Sequence, residues 1–202
     1  MFNPYAQGGW KNTDNPNALG SSGNFPPQPS IMGALPYPTL PGPPPTLLAF
    51  NFAAFNPSIL NCTVTGPRER VYFRIATDAP MVGFTVFFNA ENQPVAIIEW
   101  LESPVLEIRG ILSKRPIRQW LELSENQSHR KMEARGKMFV WAPGGDYIFL
   151  YAPGVGEPEL YAQVSRGENA VTLQLTGEAI RLGLLEVCVA ATLLLQCGRN
   201  ID

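Results

Sequence analysis

Few of the 202 residues have the types and spacing that reaction chemistry requires. There is one histidine, His129, set in the charged run SENQSHRK. A hydrolase triad needs a histidine base held against a nucleophile, whereas His129 reads as an exposed hairpin residue. The three cysteines, Cys62, Cys188 and Cys197, have neither zinc nor redox spacing. They predict reduced packing thiols in an intracellular protein. Gly144-Gly145 and Gly154…Gly156 lie among turn residues and not ahead of a helix, so no phosphate-cradling loop is expected. Glu99, Glu102 and Glu107 are close in sequence, but the strand pattern separates Glu99 from Glu107 and leaves all three solvated. No catalytic residue, cofactor site or metal site is predicted.

Two ionisable features survive this survey. Glu186 interrupts the apolar run EAIRLGLLEVCVAATLLLQC, residues 178–197. A carboxylate there must be ion-paired, be protonated or reach an opening in the fold. Arg74 and Arg109 are its candidate partners, and a buried ligand or proton site is the alternative. The second feature is residues 109–137, which hold Arg109, Lys114, Arg115, Arg118, Arg130, Lys131, Arg135 and Lys137 against Glu122, Glu125 and Glu133. The chain as a whole carries −2, so the basic excess is local. It predicts either solvated charge or an anion-binding patch, and it gives no global pull toward nucleic acid.

The elements that must position these groups follow from composition. Residues 178–196 have helical length, strong helix formers and no polar face, so the helix they form must be buried all round. Glu186 leaves only Val187–Leu195 as the apolar stretch downstream, about 13 Å against a bilayer core of about 30 Å, so the burial is in protein and no transmembrane segment is expected. Ahead of it, from Thr46, short apolar runs alternate with turn signals every 8–12 residues, which predicts about twelve strands without intervening helices. A sheet that curls and closes on the helix would bury the helix and remove its own edges. The expected fold is therefore mainly β: a closed antiparallel barrel of about twelve strands over residues 46–202, around one buried helix at 178–196. Residues 1–45 hold 11 of the 20 prolines and read as a Pro/Gly/Asn-rich tail. Its start has no basic-plus-apolar leader pattern, so no secretory signal is expected.

The order AIIEW (96–100), SPVLEI (103–108), QWLELS (119–124), HRKMEARGKMFVW (129–141), YIFLY (147–151) and the terminal apolar helix resembles an uncharacterised domain family of mushroom-forming fungi. That family looks like a diverged relative of the tubby C-terminal and phospholipid-scramblase-like barrels. The resemblance covers about residues 47–197 and implies twelve strands around a C-terminal helix, with Trp100, Trp120 and Trp141 at least partly buried. It implies no activity, and none of the phosphoinositide-binding residues of the tubby relatives matches a position here. Taken together, the expectation is a non-catalytic binding or interaction module that contacts anionic lipid through the basic segment. A protein-binding module using PYPTLPGPPP (36–45) is the alternative, followed by a small-molecule enzyme.

Overall fold

The computed structural model describes residues 46–79, 81–154 and 158–202, so the tail expected over 1–45 lies outside them. The strands are β1 (Leu47–Ala53), β2 (Cys62–Thr65), β3 (Val71–Thr77), β4 (Phe84–Asn89), β5 (Pro94–Glu99), β6 (Val105–Ile108) and β7 (Leu112–Pro116). After α1 (Ile117–Trp120) come β8 (Leu121–Leu123), β9 (Arg130–Ala134), β10 (Lys137–Gly144), β11 (Tyr147–Ala152), β12 (Glu159–Arg166) and β13 (Val171–Thr176). Two further helices, α2 (Gly177–Arg181) and α3 (Leu185–Gln196), end the chain.

Period-two patterning sets the strands. In β1, Phe50 and Phe52 are buried and the intervening Asn51 is exposed. In β9, Arg130, Met132 and Ala134 face inward while Lys131 and Glu133 face out. A slip of one residue would exchange the two faces, so burial fixes the register. Leu121, Met132 and Phe139 accordingly lie in one inward row across β8, β9 and β10.

All thirteen strands belong to one antiparallel sheet, ordered β7-β6-β5-β4-β3-β2-β1-β13-β12-β11-β10-β9-β8. The fold is mainly β and antiparallel as expected, but the hydrogen-bonded ladder does not close: it has two edges, β7 and β8. The cause is local. Pro116 cannot donate to a ladder, and the next four residues wind into α1, burying Ile117 and Trp120. The edges are nevertheless consecutive in the chain, separated by α1 alone. Twelve antiparallel pairings in succession leave β7 and β8 running in the same direction. Trp120 Nε1 donates to Glu133 O at 3.0 Å, so α1 is tied to β9 across this seam.

Helix α3 fills the space the sheet encloses. Every residue from Val187 to Gln196 is buried. The helix packs on both β13 and β5, which stand five places apart in the strand order, so the sheet curls around it. The single helix expected over 178–196 is in fact two. Gly183, with φ +67°, ends α2: Gly183 N–H donates to Ile180 O and Leu184 N–H to Ala179 O, the paired bonds of a Schellman cap. Thr176 Oγ1 caps the other end, accepting from Ala179 N–H at 3.1 Å. Trp120 and Trp141 are fully buried and Trp100 half-buried. Among the described residues, no helix is long and apolar enough to cross a membrane.

Candidate binding rim

Antiparallel alternation divides the loops between two rims. The rim where α3 ends carries the loops β1–β2, β3–β4, β5–β6 and β8–β9 and the turns β10–β11 and β12–β13. The opposite rim carries α2, the β6–β7 turn and the β9–β10 turn. This arrangement disperses the eight basic residues predicted as a patch. Arg109, Arg135 and Lys137 fall at the opposite rim, Arg135 in a left-handed turn conformation (φ 53°) beside Gly183. Lys131 is exposed on the wall but directly opposite Glu122. Arg115 is half-buried, and Lys114 is in an ion pair with Glu99 at 2.5 Å. Arg118 is exposed on α1. Arg130 is the clear correction: its side chain is 0% exposed and belongs to the core. Its inward parity with Met132 and Ala134 was readable in the sequence.

Glu186 was expected to be ion-paired, protonated or at an opening of the fold. It lies half-buried in the first turn of α3, and among the described residues it forms no ion pair with Arg74 or Arg109. Arg74 donates instead to Asn92 Oδ1 at 2.7 Å and stacks over Phe88. Position explains the tolerance: a carboxylate at a helix N-terminus meets the positive end of the helix dipole.

The residues that sequence reasoning missed stand on the rim where α3 ends. Val82 is 84% exposed, Leu101 56% and Met81 46%. Trp100 N–H donates to Gly83 O at 2.8 Å, so the β3–β4 and β5–β6 loops that carry them are joined. Beneath runs a chain of donors: Trp100 Nε1 to Thr85 Oγ1 at 2.7 Å, Thr85 to Thr77 Oγ1 at 2.6 Å, and Thr77 to Leu60 O at 2.6 Å. The apolar tips therefore project from a hydrogen-bonded base. Asp78 is occupied in accepting from Gly83 N–H at 2.7 Å, while Glu102 is exposed beside Leu101. The missed signal was the pair Met81-Val82 placed inside a turn, where polar residues are the rule.

The last residues of the chain lie along the same rim. The Arg199 guanidinium stacks over the Trp100 ring at 4.6 Å. Ile201 is buried, and Asp202 reaches Arg130 with Nη1–Oδ1 at 2.8 Å and Nη2–Oδ2 at 2.7 Å. Arg130 Nη1 also donates to Leu121 O at 2.9 Å. This bidentate pair fastens the chain to β8 and β9, one side of the seam.

Burial holds the thiols in their protonated form: it pushes Cys62 from 9.0 up to about 12 and raises Cys188 and Cys197 as well. Because these folded values lie above the unfolded ones, their contribution is complete below pH 9 and is lost as pH rises toward 12. Alkylation of the native protein near pH 8.5 is expected to spare Cys62 and Cys188, and mass spectrometry reads the result. His129 Nδ1 lies 2.9 Å from Ser128 Oγ, in the β8–β9 loop. Among the described residues, no three metal-ligating side chains cluster.

No family model and no curated protein matches the chain. Among solved structures, it is similar to a protein of Arabidopsis thaliana known by X-ray crystallography, at 12% identity and a TM-score of 0.38, over 73% of this chain and 92% of that one.

Proposed function

We propose that this chain is a non-catalytic module that docks on anionic membrane surfaces by the rim where α3 ends. The carrying observation is the exposure of Val82, Met81 and Leu101 on two joined loops above a hydrogen-bonded base. Apolar tips on a rigid support can enter the headgroup region with little ordering cost. Arg118 on α1 and Arg199 beside Trp100 supply positive charge nearby. On this reading β7, α1 and β8 count as one interrupted strand of a twelve-stranded barrel. The chain is then a diverged member of the fungal family and, through it, of the tubby-like and scramblase-like barrels.

Each inserted tip contributes about 1 kcal/mol, a part of the full burial value for such a side chain. Each nearby basic residue adds about 1 kcal/mol at low salt. Binding is therefore weak and salt-sensitive. Sedimentation with phosphatidylserine vesicles should pellet the wild type at low salt and release it at high salt. The Val82→Asp/Leu101→Asp variant should bind about tenfold or more weakly, and Glu102→Lys more tightly. Equal pelleting of all three proteins overturns the proposal. The protein-partner reading belongs to the tail at 1–45, outside the described residues.

A further inference from the structure

The same rim contains a cavity of about 320 Å³ between the β1–β2 loop, the β12–β13 turn and the C-terminal end of α3. Phe55, Pro57 and Val171 give it apolar walls, while Glu168 and Gln196 bring acceptor oxygens to its lining. Gln196 is 6% exposed, and its Oε1 is buried with no hydrogen-bond partner. One turn earlier on the same helical face, Thr192 Oγ1 is likewise buried without a partner. A buried acceptor left unsatisfied is costly, so native folds keep few of them.

The cavity lining holds one charge of each sign, Glu168 and Arg166, and the end of α3 adds negative potential. The last turn of α3 leaves its carbonyl groups without helical donors, and the helix dipole places partial negative charge there. Glu168 adds a carboxylate from the β12–β13 turn. Arg166 also lines the cavity and is itself exposed to solvent. An unpaired amide oxygen, helix carbonyls and a carboxylate call for a hydrogen-bond donor carrying positive charge.

From this arrangement we infer that the cavity binds a small molecule with a protonated primary amine and a short apolar chain. The ammonium donates to Gln196 Oε1 near Glu168, and the chain lies against Phe55, Pro57 and Val171. The site works in free solution and does not depend on membrane docking.

The test is an NMR titration of the full chain with n-butylamine, using n-butanol as the neutral isostere and butyrate as the charge-reversed one. Butylamine should shift the Gln196 side-chain amide and the Glu168 and Asn169 backbone amides in a saturable way. Butanol should bind about tenfold or more weakly, the loss expected when a charged hydrogen bond becomes a neutral one. Gln196→Leu should abolish binding and Gln196→Glu should strengthen it. If Gln196→Leu fails to fold, Glu168→Gln on the exposed turn should weaken binding several-fold instead. Equal binding of butanol, preference for butyrate, absence of saturable shifts, or wild-type affinity in the folded variants overturns the inference.

Discussion

Replacing Val189 with Asp is expected to leave no folded protein at 25 °C. Val189 is 1% exposed in the middle of α3, a helix buried on every side. An aspartate there has no partner and no route to water, and an unpaired buried charge costs several kcal/mol. Loss of the valine packing adds to that, against a total stability that is typically about 5–15 kcal/mol. Circular dichroism should show the loss of the β signal, and gel filtration an expanded or aggregated chain. Val82→Asp, the same chemistry on an 84% exposed residue, should fold with nearly wild-type stability. A folded Val189→Asp protein would mean that α3 is not enclosed by the sheet.

The second large effect is expected at the far end of the same enclosure. Asp202→Ala removes both carboxylate oxygens from a guanidinium that is 0% exposed. What remains is a buried cation that still donates to Leu121 O. Breaking such a pair typically costs about 3–5 kcal/mol, and the low end applies because Asp202 is itself 39% exposed. Urea denaturation should show a midpoint shift equivalent to about 3 kcal/mol with an unchanged slope. Arg130→Met, which removes the buried charge altogether, should cost less than Asp202→Ala. If Asp202→Ala is neutral, the bidentate pair does not secure the chain end to β8 and β9.

Much of the fold was legible because it rests on periodicity. The strand runs and the apolar α3 follow from alternation and from the absence of a polar face, while the burial of Trp120 and Trp141 was implied by the family resemblance. The interruption at α1 was less legible. Pro116 marks a ladder break, but the sequence alone does not say that the chain then winds one turn and resumes in the same direction. Gly183 splits the helix although the apolar run continues through it, so the pattern alone does not reveal the stop. The basic segment misled for a different reason. Charge counted along the chain ignores strand parity, which turns Arg130 inward, and register, which sets Glu122 against Lys131. The apolar rim was hidden because it joins two loops from different hairpins, and only the bond from Trp100 N–H to Gly83 O puts Val82 and Leu101 on one support.

Membrane docking through that rim is tested most directly by an environment-sensitive fluorophore on a Val82→Cys protein. The buried Cys62 and Cys188 resist labelling, and Cys197 is replaced by Ser in the same background. A second protein carries the label at Met138→Cys, an exposed position near the opposite rim. With phosphatidylserine vesicles at low salt, the label at 82 should brighten and shift to the blue while the label at 138 stays unchanged. Unchanged emission at 82, or a larger change at 138, would contradict docking through this rim.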